Sequence, residues 1–169
     1  LRALALYDQL TGVANRRLLR EHVIQGLAAA GRREHPIAML VIDLDGFKSI
    51  NDERGHQQGD AVLRWVAQRV TEVVRTDDVV GRFGGDEFVV VCHEADEVVA
   101  RTVAERIRVA IAGYPDGLPD GSSLTASVGI AICAPAKATA LPEDFFAVAD
   151  LALYRSKREG KDRVSVGSL

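Results

Sequence analysis

The chain has 169 residues, 47% of them hydrophobic and 27% charged, with a formal net charge of −3. That length suits one domain with a core of its own, and the mild acidity excludes a global basic field that would gather nucleic acid. No apolar run reaches membrane-spanning length, no secretory signal is visible, and the two cysteines, Cys92 and Cys133, sit far apart in apolar runs without metal or redox spacing.

Residues 1–7 open on Leu rather than Met and read as the end of a helix arriving from an upstream region, so the chain is expected to be a piece of a larger protein. After the break at 8–12, Asn15 is placed to cap a helix that carries Leu18, Leu19, Val23, Ile24 and Leu27 at helical spacing and ends at Gly31. Residues 36–44 form a continuous apolar run, the pattern of a strand buried on both faces, with Asp43 near its end and Asp45 on the same face. A short helix is expected over 46–54. A longer one, opened by Gly59-Asp60, carries the stripe Val62, Val66, Val70 and Val73, with Trp65 as a core or interface aromatic.

Val79-Val80 and the run Phe88–Cys92 flank Gly84-Gly85 and read as a β-hairpin. A helix follows over 96–112, then a Pro/Gly/Asp loop over 113–121. The alternation of Leu124, Ala126, Val128, Ile130 and Ile132 predicts a half-buried strand. A helix over 143–158, with Ala149, Ala152, Leu153 and Ser156 on one side, and a last strand over 162–166 complete the chain. One mixed sheet covered by helices, an α+β (α/β) domain spanning 1–169, is the simplest packing.

The chemistry centres on the hairpin. Its turn bears two adjacent carboxylates, Asp86 and Glu87, which repel unless something compensates them. With Asp43 at the end of a core strand, three carboxylates on two rigid elements can hold Mg²⁺, which takes one or two protein carboxylates and leaves the rest to water and phosphates. That favours phosphoryl or nucleotidyl chemistry. Lys48 and Lys157, solvated lysines when taken singly, can meet phosphate oxygens beside such a site. Asn51 and Asp60, with His56 between them, have the donors and acceptors to read a purine edge, and also suit capping.

Taken together, Asp8-Gln9-Leu10-Thr11 with Asn15-Arg16-Arg17, Asp43-Leu44-Asp45-Gly46-Phe47-Lys48 with Asn51-Asp52, Gly55-His56 with Gly59-Asp60, Gly84-Gly85-Asp86-Glu87-Phe88, and Tyr154 with Lys157 and Gly160 form an ordered series of motifs. The chain resembles the GGDEF-domain diguanylate cyclases from end to end. The resemblance implies a core like that of nucleotide cyclases and polymerase palms, and condensation of two GTP into cyclic di-GMP with release of two pyrophosphates. It implies Mg²⁺ (or Mn²⁺) on Asp43, the Leu44 carbonyl and Asp86, with Glu87 in support, and Asp86 as acceptor of the 3′-hydroxyl proton. Phe47, Lys48, Gly84, Gly85, Lys157 and Lys161 would contact substrate, with Asn51, Asp60 and nearby His56 at guanine.

It further implies a homodimer in which each domain brings one GTP, an upstream sensory or regulatory domain, and a cytoplasmic setting for a domain that a full-length protein can tether to a membrane. Arg75-x-x-Asp78 matches the family's product-inhibition site, both residues facing the ligand, with Arg106 supplying a second arginine from a neighbouring domain; alone, Arg75 also reads as a helix-terminal cation. Three motifs depart from the usual pattern: Asp86 where many members have Glu, Gly46 in place of an aromatic or Asn, and Gly160-Lys161-Asp162 where Gly-Arg-Asn is common. A catalytically silent module that receives GTP or cyclic di-GMP is the alternative reading.

Overall fold

The structure, a computed structural model, describes residues 5–169. Helix α1 (Arg16–Arg33) leads into strand β1 (Ile37–Asp45), and α2 (Phe47–Arg54) and α3 (His56–Val73) lead into the hairpin β2 (Val79–Gly84) and β3 (Glu87–Cys92). Then come α4 (Glu97–Ala112), β4 (Thr125–Cys133), a 3₁₀ turn (Pro135–Lys137), α5 (Pro142–Arg158) and β5 (Val164–Ser168). The five strands form one sheet in the order β2-β3-β1-β4-β5, antiparallel except for the parallel β4–β5 edge. The α+β architecture with a mixed, helix-covered sheet is the one expected from the sequence. None of the described helices is long and apolar enough to cross a membrane.

The central strand explains the layering. Side chains of β1 alternate between faces, and both faces are apolar. Ala38, Leu40, Ile42 and Leu44 pack with residues of α2, α3 and α4, among them Ile50, Val66 and Ile107. Ile37, Met39 and Val41 pack with Leu19, Val23 and Leu27 of α1 and Phe145, Ala149 and Leu153 of α5. Asn15 caps α1 as expected, accepting from Leu18 N. Both cysteines are buried and free.

Several boundaries differ from the sequence expectation. Of the helix expected over 1–7, residues 1–4 lie outside the described residues; Ala5 and Leu6 are helical, and Tyr7 bridges to Ala14. Helix α1 continues past Gly31, which lies against Ala138, and is closed by Glu34 in the left-handed region. Helix α3 begins at His56 with Gly55 as its cap, so Gly59 and Asp60 lie inside it. Strand β5 begins at Val164 because Lys161 and Asp162 take left-handed turns first.

The largest difference is β4, which is buried on both faces rather than one. Its alternation is one of large and small, not of apolar and polar. The small residues Ser127, Gly129 and Ala131 face α5, and at Gly129 the helix backbone arrives directly: a Cβ there would lie 2.2 Å from both Ala149 O and Leu153 N. This contact sets how close α5 comes to the sheet. Gly129→Val is expected to destabilise the domain by about 3 kcal/mol through overpacking against backbone that cannot yield, read as a lower urea midpoint at unchanged m-value.

Candidate functional site

The register of β1 brings the acidic residues together. Asp43 is paired with Glu87 of β3 on one side and Ser127 of β4 on the other, so their side chains share the α1/α5 face. Asp86 occupies the turn just before β3. The turn is tight because Gly84 (φ 133°) and Gly85 (φ 51°) take conformations that residues with a Cβ rarely adopt. Helix α5 then delivers Lys157, whose Nζ lies 2.7 Å from Asp43 Oδ2 and 3.4 Å from Asp45 Oδ1.

Asp45 is the residue whose role the sequence did not reveal. It is buried, and its carboxylate accepts from Thr125 Oγ1 (2.8 Å), Ser127 Oγ (2.8 Å) and Asp162 N (3.1 Å) while touching Lys157. One carboxylate thus ties β1 to β4, to α5 and to the turn that holds Lys161. The signal for it was the shared face of Asp43 and Asp45; the hydroxyl partners arrive only through the β1–β4 register.

Burial, then the neighbouring Asp43 carboxylate, push the Asp86 carboxyl from 3.8 up to about 6, and Lys157 opposes this. Glu87 is raised by burial, by Asp150 of α5 and by Asp43, against Arg16. Asp150 is itself raised by burial. Burial would lower Lys157, but its hydrogen bond to Asp43, with Asp45 behind it, outweighs that and holds the ammonium above its ordinary value. The site is a desolvated acidic cluster short of positive charge.

The hairpin is braced from the N-terminal side. Arg82 donates twice to Gly85 O, at 2.9 and 2.8 Å, and its Nη1 reaches both Asp8 carboxylate oxygens, at 3.1 and 3.2 Å. Asp8 is desolvated, yet Thr11 and Arg82 hold its carboxyl below the ordinary value. The sequence reading quoted Asp8 and Thr11 only as parts of a motif and did not anticipate this ion pair.

The other expected residues fall into three places. Lys48 and Lys161 are exposed. The Phe47 ring is buried in the core, so any contact with a ligand from this position comes from its backbone, not its ring. Asn51 and Asp60 are half-buried on α2 and α3, and His56 is exposed at the first position of α3. Because Gly55 is the cap, capping no longer accounts for Asp60. Gly46 takes a left-handed φ of 83°, and Leu118 of the 113–121 loop fills the space where a larger residue would stand: a Cβ at 46 would lie 2.6 Å from it.

Arg75 and Asp78 lie after α3, at the opposite end of β2 from the glycine turn. The Asp78 side chain, expected to face a ligand beside Arg75, is instead fully buried, gripping Arg75 Nε and Nη2 at 3.2 and 2.9 Å. Arg75 also donates to His93 O at 2.6 Å and remains about a third exposed, at 37%. Arg75 lines two adjoining grooves of about 720 and 610 Å³, whereas Arg106 lines a separate one on the exposed face of α4.

Among the described residues no three His, Cys, Asp or Glu side chains converge on one point. The pair that does meet, Asp43 and Asp86, still fits a hard divalent cation that takes two carboxylates and completes its shell with a main-chain carbonyl, water and phosphate. The elevated Asp86 carboxyl is the observation that favours an added positive charge there.

The model of the family described as "Diguanylate cyclase, GGDEF domain" matches residues 5–163. The chain is 41% identical over 165 residues to the diguanylate cyclase DgcP of Pseudomonas aeruginosa, covering 96% of this chain and 24% of that protein. It is 39% identical over 161 residues to the diguanylate cyclase DosC of Escherichia coli, covering 94% and 34%. The coiled coil and GGDEF domain of DgcB from Caulobacter crescentus, solved in complex with c-di-GMP, superposes with a TM-score of 0.88 at 32% identity, covering 98% of this chain and 87% of that one. The chain thus spans a quarter to a third of the length of the curated relatives it matches.

The raised Asp86 carboxyl has a stability consequence. Its folded value near 6 exceeds the unfolded 3.8, so the folded state loses stability as pH rises from about 4 through about 6. In divalent-free buffer, Asp86→Asn is expected to match the parent's thermal midpoint at pH 3.5 and to exceed it at pH 8. An equal difference at both pH values would contradict the assignment.

Proposed function

The chain belongs to the diguanylate cyclase GGDEF domain family, and from that premise we propose that it condenses two GTP molecules into cyclic di-GMP, releasing two pyrophosphates. The observation that carries this reading is the desolvated Asp43–Asp86 pair with Lys157 beside it. Asp43, the Leu44 carbonyl and Asp86 hold Mg²⁺ or Mn²⁺, with Glu87 in support. When bound, such an ion supplies positive charge against the triphosphate and acidifies a 3′-hydroxyl.

The chain's own groups do the rest. Asp86, in the turn beside Asp43, is placed to accept the 3′-hydroxyl proton. Lys157, gripped by two carboxylates, presents a fixed ammonium toward phosphate oxygens, joined by exposed Lys48 and Lys161. Gly84 and Gly85, exposed and without a Cβ, let the nucleotide approach the backbone. Asn51 and Asp60 read the guanine edge, with His56 nearby. The freedom of Asp60 from capping supports that role.

Each domain holds one GTP, so two copies face each other about a two-fold axis for the two in-line attacks. The domain works in the cytoplasm under an upstream regulatory region. Cyclic di-GMP inhibits at Arg75, which Asp78 orients from beneath, and Arg106 reaches the product from a neighbouring copy. The partial exposure of Arg75 between two grooves supports this.

Purified protein given GTP and Mg²⁺ is expected to yield cyclic di-GMP and pyrophosphate by chromatography. Asp43→Ala and Asp86→Ala are each expected to lower the rate at least about a hundredfold without loss of the folded circular dichroism spectrum. Tight binding of GTP or cyclic di-GMP with no product would instead make the domain a receptor.

Arg75→Ala is expected to weaken cyclic di-GMP binding about tenfold or more in calorimetry, the loss of one charged hydrogen-bonded contact. It also strips buried Asp78 of its counter-ion. A paired Asp78→Asn substitution is therefore expected to restore stability but not product binding.

A further inference from the structure

Gly59 is buried in the second turn of α3, a place where alanine forms helix better than glycine. Its backbone φ is not left-handed, so no conformational demand explains a glycine. The space around it does. A Cβ at this position would lie 1.9 Å from Asn51 Oδ1, 2.9 Å from Asn51 Cγ and 3.3 Å from the edge of the Phe47 ring. The carboxamide of Asn51, reaching over from α2, occupies the volume that any side chain at 59 would need, and it does so against the residue that precedes Asp60.

We propose that Gly59 determines guanine specificity by giving the Asn51 carboxamide its seat beside Asp60. Gly59 is a positioning residue: it offers no group to a base, and it acts by where it allows Asn51 to be. The proposal rests on the reading of Asn51 and Asp60 as the guanine-recognising pair. The atoms nearest to an added methyl group are the far end of the Asn51 side chain, with its rotatable amide, and then the edge of the Phe47 ring. Alanine at 59 therefore leaves the helix intact or firmer while turning the carboxamide out of place.

The test uses the α,β-methylene analogues of GTP and ITP with Mg²⁺, which bind without turnover; inosine lacks the 2-amino group of guanine. The parent is expected to favour the GTP analogue over the ITP analogue by about tenfold, the range for leaving one polar group of the pocket without its partner. Gly59→Ala is expected to weaken the GTP analogue about tenfold or more and bring the two affinities together, with a thermal midpoint equal to or above the parent's. Asn51→Ala should show the same loss, and adding Gly59→Ala to it should change nothing further.

Parent-like discrimination in Gly59→Ala, while Asn51→Ala has lost it, overturns the proposal and leaves the guanine reading standing. A double variant weaker than Asn51→Ala alone, or one that fails to fold, also overturns it, because Gly59 would then act through something other than Asn51. Parent-like binding by Asn51→Ala refutes the guanine reading itself, and the proposal falls with it.

Discussion

Two half-buried carboxylates held side by side are the constraint from which the rest of this domain follows. Left alone, Asp43 and Asp86 repel, and burial makes the charge on Asp86 costly. The β1–β3 register nevertheless sets Asp43 opposite Glu87 and so beside the turn that carries Asp86, and Lys157 meets only part of the demand for positive charge. To bring that lysine in, α5 must lie almost on the sheet, which is why β4 shows it Ser127, Gly129 and Ala131. To hold it there, Asp45 gathers two hydroxyls and a main-chain N–H around a carboxylate that touches the same ammonium. The unmet charge is what the proposed cation and triphosphate would answer.

Elsewhere the domain uses partly buried ion pairs as brackets. Arg82 joins the Asp8 turn to the carbonyl of Gly85, fixing the glycine turn without a side chain from the turn itself. Arg75 and Asp78 do the same between the end of α3, the start of β2 and the His93 carbonyl. In both, the arginine fork satisfies two elements at once, which a lysine point charge would not do. The difference lies in what stays open: Arg75 keeps a third of its side chain exposed, whereas Arg82 keeps only 13%.

Much of this was legible in the sequence because apolar periodicity and local turn chemistry are local signals. The order of elements, the doubly buried β1, the Asn15 cap and the buried side of α5 all came from spacing alone. What stayed hidden depends on contacts between distant segments. The alternation of β4 does not say whether its small residues face water or a helix; only α5 decides that. Asp45 looked like a neighbour of Asp43 until register brought Thr125 and Ser127 to it. Gly59-Asp60 resembled a helix start because glycine and aspartate favour such ends, yet the helix begins at His56 and the glycine makes room for Asn51. Asp78, polar and next to a turn, gave no sign that it would be sealed beneath Arg75.

The position of β1 in the middle of the sheet also bears on how the domain assembles. Both of its partners lie far along the chain: Ala38 pairs with Cys92, and Ile37 with Cys133. Ladders between such distant segments close large loops, and they form slowly for that reason. The Asp43 ion pair waits for α5, later still in the sequence. During synthesis the acidic cluster therefore stays incomplete until almost the whole domain has emerged and collapsed. A nascent or truncated chain carries the signature hairpin without the apparatus around it, so the acidic cluster is assembled only when the topology has closed.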